Sequence, residues 1–260
     1  MKTQRIISSL LLSLALSTGA FAQDGAPKPT IVLVHGAFAD GSSWNAVVDR
    51  LQKDGYRVIA AANPLRGVAS DGEVVASVVK SITGPVVLVG HSYGGPVITA
   101  AANGSRNVKA LVYVSAFTPD AGETSLGLTG KFPGSTLGDA LAPEIALPDG
   151  KHDLYIDQAK FPEQFAADVP LAQAQLMAAE QRPVAKEALA EASGEPSWKR
   201  LPNWSIYGSA DRNIPPQAMA FMAQRANARK VVVVPGASHV VMVSHPDAVA
   251  DLIEEAAAAQ

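Results

Sequence analysis

The chain has 260 residues, of which 48% are hydrophobic and 17% charged, and it contains no cysteine. A chain of this length buries a core large enough to fold without disulfides, which excludes a disulfide-dependent small protein. The net charge of −3, with no cluster of Lys and Arg, argues against nucleic acids and anionic membrane surfaces as partners.

The first 22 residues have the pattern of a cleavable signal peptide. Lys2 and Arg5 form a basic start, residues 6–16 are almost continuously apolar, and Ala20-Phe21-Ala22 has the small-x-small pattern that signal peptidase accepts. The apolar segment is shorter than the roughly 20 residues that a bilayer span requires, which disfavours an uncleaved anchor. We therefore expect cleavage after Ala22, no stable membrane insertion afterwards, and a periplasmic or secreted protein.

Residues 23–260 alternate between short apolar runs rich in β-branched residues and segments with helical periodicity. This alternation is typical of a single α/β domain in which helices flank a mostly parallel sheet. The predicted strands, about six, are Thr30–Val34, Arg57–Ala60, Val86–Val89, Ala110–Val114, Trp204–Tyr207 and Lys230–Val234. The predicted helices between them are Ser43–Lys53, Asp71–Ile82, Tyr93–Asn103, Pro215–Ala226 and Pro246–Ala257.

The alternation stops between about residues 119 and 202, where Gly, Pro and Ala are frequent and no convincing strand appears. An insertion this long before the last two strands predicts a helical cap over the sheet, because structureless loops of such length are uncommon. Its most helical part is Leu171–Ala192, interrupted by Pro183. A disordered linker is the alternative. Aromatic residues such as Phe161 and Trp198 disfavour it, because disordered segments have few of them.

A nucleophile motif follows the third predicted strand. Gly90-His91-Ser92-Tyr93-Gly94 has the Gly-x-Ser-x-Gly pattern, with a strand before it and a helix after it. In this context the turn is sharp, and it holds the serine hydroxyl above the sheet in a strained conformation. Ser92 is therefore the predicted nucleophile, and the dipole of the helix that follows favours the negative charge developing on attack.

A serine hydroxyl needs a base to accept its proton, and we predict His239 for this role. His239 lies on the loop after the last predicted strand, where the fold places its catalytic histidine. For the other four histidines we expect packing, capping or solvent exposure. They are His35, His91, His152 and His245.

The third member of the predicted triad is an acid that orients the histidine. Asp211 follows the strand Trp204–Tyr207, which gives the chain order Ser, Asp, His expected for this arrangement. Asp120 is the competing acid, because it follows the strand ending at Val114. Chain order and the turn residues around Asp211 favour Asp211.

The oxyanion that forms on attack requires hydrogen-bond donors, for which the backbone amides of Ala37 and Tyr93 are the candidates. His35-Gly36-Ala37 follows the first strand, and a glycine there lets the loop approach the nucleophile. The neighbouring Phe38 and the Tyr93 side chain are predicted near the mouth of the pocket as substrate-binding residues.

On these motifs the sequence resembles the α/β-hydrolase superfamily, in the branch of plant methylesterases, plant hydroxynitrile lyases and bacterial EstC-type esterases. The resemblance is carried by four stretches: Val32 to Ala37 with Trp44 downstream, Gly90 to Gly95, Val112 to Glu123, and Asp211 followed 28 residues later by His239. It implies a six-stranded parallel sheet with a helical cap, and it implies no cofactor and no metal.

Departures from the branch distinguish between its reactions. The lyases carry a lysine directly after the catalytic histidine and a threonine before the oxyanion residue, where this chain has Val240 and Gly36. Without the positive charge of that lysine, departing cyanide is not stabilised. Epoxide hydrolases and dehalogenases of this fold use an aspartate where Ser92 stands, so they are excluded.

The sequence therefore predicts a serine hydrolase that cleaves a carboxylic ester through an acyl-enzyme, with a small, partly hydrophobic ester or lactone as substrate. A lactonase or amidase with the same triad is the first alternative. A non-catalytic ligand-binding protein is the second, since fold alone does not determine function. The oligomeric state is not predicted.

Overall fold

The computed structural model describes residues 28–259, and the predicted signal peptide lies outside this range. The strands in this range are β1 (Thr30–Val34), β2 (Val58–Ala61), β3 (Val86–His91), β4 (Val108–Val114), β5 (Ile145–Ala146), β6 (His152–Leu154), β7 (Val184–Ala185), β8 (Asn203–Gly208) and β9 (Lys230–Val234). The helices are α1 (Asn45–Lys53), α2 (Val68–Lys80), α3 (Gly94–Ala101), α4 (Ser125–Gly130), α5 (Leu137–Ala140), α6 (Phe161–Phe165), α7 (Leu171–Glu180), α8 (Lys186–Ala190), α9 (Pro216–Arg225), α10 (Val241–Ser244) and α11 (Pro246–Ala258). None of these helices is long and apolar enough to cross a membrane.

Within the described residues, six strands form one parallel sheet in the order β2-β1-β3-β4-β8-β9. This confirms the predicted fold class. The central strands β1 and β3 are buried along their whole length, as expected where helices cover both faces of a parallel sheet. The edge strand β9 is more exposed, with Val231 and Val233 facing solvent.

The parallel arrangement determines where the functional loops meet. Because all strands of the sheet run in one direction, the loops after β1, β3, β8 and β9 leave from the same edge. The four predicted functional positions, Ala37, Ser92, Asp211 and His239, lie on these four loops. The topology therefore brings together residues that are up to about 200 positions apart in sequence.

The insertion between β4 and β8 is an ordered cap. Helices α4 to α8 lie in it, and Phe161, Phe165 and Val184 belong to the same buried cluster as the strands of the sheet. The cap is therefore packed against the sheet, and the disordered linker considered as an alternative is wrong.

The cap also contains an antiparallel sheet in the order β5-β6-β7, which the sequence pattern did not predict. Its strands are two or three residues long, too short to show an alternation of apolar and polar residues. The helix predicted over Leu171–Ala192 is divided, since α7 ends at Glu180 and β7 precedes α8. Pro183 explains the break, because the residue before a proline avoids helical backbone angles.

Candidate active site

A sharp turn joins β3 to α3 and carries Ser92, as predicted. Ser92 has a φ of 53°, in the left-handed region that non-glycine residues rarely adopt. The Ser92 amide donates to the carbonyl of Val114 at 3.2 Å, and its own carbonyl accepts from Gly95 at 3.0 Å. The chain passes so close here that a Cβ on Gly95 would lie 2.0 Å from the carbonyl oxygen of Phe117. The backbone is thus fixed on both sides of the strained serine.

His239 and Asp211 form a buried pair at the ends of β9 and β8. The His239 Nδ1 atom lies 2.6 Å from Asp211 Oδ2, and both side chains are almost completely buried. The other carboxylate oxygen, Oδ1, accepts from the amides of Asn213 at 2.8 Å and Ile214 at 3.0 Å. Since a carboxylate accepts, Nδ1 carries the proton, and Nε2 is left as the basic nitrogen.

Ser92 and His239 line the same cavity, so the predicted nucleophile and the predicted base lie on the same side of the molecule. Among the described residues, the Ser92 hydroxyl makes no hydrogen bond to His239. Hydrogen bonds between a nucleophile and its base are often long in unliganded enzymes and tighten when substrate binds.

The competing acid, Asp120, lies elsewhere. Its carboxylate pairs with Lys199 at 2.7 Å and accepts from the amide of Ala121, and it makes no contact with His239. The lysine lowers the pKa of Asp120. This geometry favours Asp211 as the partner of the histidine.

His91 contacts the candidate base, a role that the sequence did not predict. The His91 ring is fully buried, and its Nε2 atom lies 3.2 Å from the carbonyl oxygen of His239. Because a carbonyl accepts, His91 carries its proton on Nε2. Burial, and secondarily the neighbouring His239, lower the pKa of His91 well below 6.5. A neutral His91 therefore supports the loop that carries His239.

The remaining histidines do not enter the cavity. His35 is buried beside the oxyanion loop, where its Nε2 atom accepts from the amide of Asn63 at 3.1 Å. Burial lowers the pKa of His35. His152 faces Glu187 on the cap surface, and His245 contacts the hydroxyl of Ser244 at 2.9 Å. The structural roles expected for His35, His152 and His245 fit these contacts.

The two predicted oxyanion donors border the cavity. Ala37 and Tyr93 both line it beside Ser92. Within residues 28–259, neither of their amides donates to another protein group. The amide of Phe38, which follows Ala37, donates to the carbonyl of Arg182. Two free amides next to Ser92 are what stabilisation of an oxyanion would require.

The cavity has a volume of about 140 Å³ and a mainly apolar lining. The core contributes Phe38, Phe117 and Ile214, and the cap contributes Phe165 and several leucines. The leucines are Leu126, Leu137, Leu141, Leu154 and Leu189. None of the described residues lining it is Asp, Glu, Lys or Arg, so an uncharged ligand fits best.

The two predicted substrate-binding residues differ in position. Phe38 lines the cavity, where its ring packs edge-on against Phe165 with 6.3 Å between centroids. Tyr93 also lines the cavity, but its ring is completely buried and its hydroxyl bonds to Asp71, so its contact with substrate stays a prediction. Leu126, 61% exposed, lies at the mouth. Sequence alone gave no signal for this residue, since it comes from the cap.

No group of three or more His, Asp and Glu side chains in the described part of the chain is arranged to hold a metal ion. The polar side chains of the cavity other than Ser92 and His239 are Ser125, Thr129, Ser135 and Asn213. Ser92, His239 and the backbone amides can together supply a nucleophile, a base and oxyanion donors.

The model of the alpha/beta hydrolase family matches residues 31–252. A carbendazim-hydrolysing esterase from Nocardioides sp. is 31% identical over 128 residues, which cover 44% of this chain and 50% of that enzyme. The match thus spans only half of that esterase. An alpha-hydroxynitrile lyase from Arabidopsis thaliana is 26% identical over 246 residues, 86% of this chain and 95% of the lyase.

Solved structures of similar fold include polyneuridine aldehyde esterase, with a TM-score of 0.76 and 20% identity over 88% of this chain and 99% of that one. A pyrethroid hydrolase from Sphingobium faniae JZ-2 has a TM-score of 0.70 and 24% identity, over 89% of this chain and 98% of that one. These matches confirm the resemblance predicted from the motifs.

Proposed function

The chain belongs to the alpha/beta hydrolase family, and we propose that within this family it hydrolyses a carboxylic ester of a small, uncharged and partly hydrophobic substrate. One observation carries the proposal. Ser92 and an imidazole hydrogen-bonded to a buried carboxylate face the same apolar cavity. Similarity to esterases supports it further.

The proposed reaction is a two-step acyl transfer. The Ser92 hydroxyl attacks the ester carbonyl while Nε2 of His239 takes its proton, and Asp211 stabilises the resulting imidazolium. The amides of Ala37 and Tyr93 bind the oxyanion. The alcohol leaves with the proton from His239, and a water molecule then releases the acid by the same steps in reverse order.

Two positions argue against the lyase reaction of the Arabidopsis relative. Val240, directly after His239, is completely buried and carries no charge to stabilise cyanide. A Cβ on Gly36 would lie 2.6 Å from the Cβ of Ser92 and 2.7 Å from the carbonyl oxygen of His91. A threonine at position 36 would therefore require the backbone to move.

The proposal is tested by labelling and substitution of the nucleophile. A fluorophosphonate should label Ser92, identified by mass spectrometry of the peptide, and should abolish hydrolysis of p-nitrophenyl butyrate. Ser92→Ala should lower kcat by roughly 10⁶-fold. Ser105→Ala is the matched control, because Ser105 is also buried but bonds only to a helix carbonyl of α3.

Full hydrolysis by Ser92→Ala, or labelling at another residue, would contradict the proposal. The same assay with a panel of lactones and amides determines which acyl compounds are turned over fastest. Faster turnover of a lactone or an amide than of every ester would replace the ester as the substrate class while keeping the mechanism.

A further inference from the structure

One segment of the chain, residues 63–71, contacts both backbone stretches that carry the proposed oxyanion amides. At its beginning, the amide of Asn63 donates to His35 Nε2 at 3.1 Å, and the Asn63 side chain donates to the His35 carbonyl at 2.9 Å. His35 is two residues before Ala37. At its end, Asp71 Oδ2 accepts from the Tyr93 hydroxyl at 3.0 Å. The 63–71 segment thus lies against both sides of the proposed oxyanion hole.

Asp71 is the most unusual residue of this segment. Its carboxylate is completely buried, although it does not line the cavity. Both oxygens accept from the amide of Arg66, and Oδ2 also accepts from Gly67 and Tyr93. Burial raises the pKa of Asp71 in spite of these bonds. Removing a carboxylate from water is unfavourable, and fixing the start of a helix does not require a carboxylate that is buried.

Tyr93 connects this carboxylate to the nucleophile turn. Tyr93 is one of the residues that line the cavity, and its buried side chain ends at Asp71. The Tyr93 backbone has a φ of −58° and a ψ of −21°. A side chain held at its far end restricts rotation of the residue as a whole, and therefore restricts the direction of the amide N–H. A donor in an oxyanion hole is effective only within a narrow range of distance and direction.

The same segment also docks the cap. The Arg66 guanidinium donates to Asp153 Oδ1 at 2.6 Å and to the carbonyl of Pro183 at 2.9 Å. The amide of Ala185 donates to the carbonyl of Leu65 at 2.9 Å. Asp153 and Ala185 pair with each other in the cap sheet. The 63–71 segment therefore contacts both the cap and the proposed oxyanion hole.

We propose that Asp71 is a positioning residue that, by holding the Tyr93 hydroxyl, aims the Tyr93 amide at the oxyanion. Asp71 touches no substrate and acts only through Tyr93. This inference rests on the proposed function, because it takes the Tyr93 amide as an oxyanion donor.

Two substitutions break the contact from either side. Tyr93→Phe removes one oxygen atom and keeps the ring, and Asp71→Asn keeps the size and removes the charge. Tyr113→Phe is the matched control, because Tyr113 is an equally buried tyrosine whose hydroxyl bonds to Thr99 Oγ1 at 2.8 Å, away from the cavity. The measurements are kcat and KM for p-nitrophenyl butyrate, and the inhibition constant of a boronic acid, whose tetrahedral adduct puts an oxygen into the oxyanion hole.

Tyr93→Phe and Asp71→Asn should each lower kcat by about 10-fold, less than the 10²- to 10³-fold lost when an oxyanion donor is removed outright. The affinity for the boronic acid should fall in parallel, while KM changes by less than about 2-fold, because the donor acts on the transition state. The double variant should be no worse than either single variant, since both remove the same contact. Tyr113→Phe should leave kcat within about 2-fold of the parent.

Parent-like kcat and boronic acid affinity in Tyr93→Phe would overturn the inference, and so would additive losses in the double variant. If Asp71→Asn does not fold, Tyr93→Phe alone decides, because it removes a single atom. Failure of the proposed function would give a different result from failure of this inference. In that case the parent protein itself is not labelled at Ser92, and the inference falls with it.

Discussion

The polar side chains around His239 differ in what each does for the base. Asp211 uses one oxygen to bind two backbone amides and the other to hold the imidazole, so its carboxylate is fixed in position and direction. His91 supports the same loop through a single hydrogen bond to the carbonyl of His239. His91 does this as a neutral ring, because burial opposes its protonation.

The buried neutral His91 predicts a pH dependence of stability. Its pKa lies well below 6.5 in the folded protein, so in the window below pH 6.5 the unfolded chain binds a proton that the folded chain does not. The free energy of unfolding should therefore fall as the pH falls from 7 to 5. In His91→Phe, which cannot be protonated, this fall should be smaller.

Urea denaturation at several pH values between 5 and 8 measures this dependence. The pH 8 value serves as the internal reference, because a histidine there is neutral in both states and the difference between the variants reflects packing and the lost hydrogen bond. Parallel curves for the parent and His91→Phe down to pH 5 would show that His91 contributes nothing to acid sensitivity.

At the residue scale, the sequence predicts the location of those candidate residues that directly follow a strand. Ser92, Asp211 and His239 each come shortly after an apolar strand, and parallel strands end at one edge, so their meeting could be predicted. Asn63 and Asp71 could not be found in this way. Their partners, His35 and Tyr93, are 28 and 22 positions away, and an aspartate in the first turn of a helix looks like an ordinary helix-start charge.

At the scale of elements, Arg225 of α9 forms hydrogen bonds and an ion pair with the segment where the chain enters the cap. The Arg225 guanidinium donates to both carboxylate oxygens of Glu123 at 2.7 Å and to the carbonyl of Thr118 at 2.8 Å. Glu123 and Thr118 lie where the chain leaves β4 and enters the cap. A bidentate pair that is mostly buried is much stronger than an exposed one.

Arg225→Lys should therefore lower the free energy of unfolding by about 1–3 kcal/mol, because lysine cannot form the two parallel bonds. Arg212→Lys is the control, since Arg212 forms a single bond to an exposed Glu163, and its loss should cost less than about 0.5 kcal/mol. Urea denaturation of both variants provides the comparison. Equal effects would mean that the Glu123 contact does not fasten the cap.

The bounds of the elements were predictable where local pattern determines them. β1 and β9 have the predicted limits, because each is a run of mostly β-branched residues with a proline at one end. α2 begins at Val68, three residues before the predicted start at Asp71. The reason is nonlocal. The carboxylate of Glu191, in the cap, accepts from the amides of Val68 and Ala69 and so satisfies the first turn from another part of the chain.

At the scale of the whole molecule, cap and sheet together enclose a space without Asp, Glu, Lys or Arg among its described lining residues. A substrate with a carboxylate on its acyl chain would have to bury that charge without a partner, which costs several kcal/mol. The enzyme should therefore hydrolyse p-nitrophenyl butyrate at least about 100-fold more efficiently than mono-p-nitrophenyl succinate, as measured by kcat/KM.

The methyl ester of mono-p-nitrophenyl succinate is the matched control, because it keeps the four-carbon succinyl skeleton and removes the charge. Its kcat/KM should return to within about 10-fold of the butyrate. Equal efficiency for the charged and the neutral succinate would mean that the acyl chain lies in solvent and outside the cavity.

The position of His239 beyond β9 also has a kinetic meaning. The turn that carries Ser92 joins the neighbouring elements β3 and α3 in the first half of the chain, whereas His239 follows β9, which pairs with β8 at the edge of the sheet. During synthesis on the ribosome, Ser92 is therefore made well before His239, the base that the proposed mechanism requires. In a refolding experiment, the return of the proposed ester turnover would therefore report the pairing of β9 with β8, and we expect it no earlier than signals that follow the burial of the centre of the sheet.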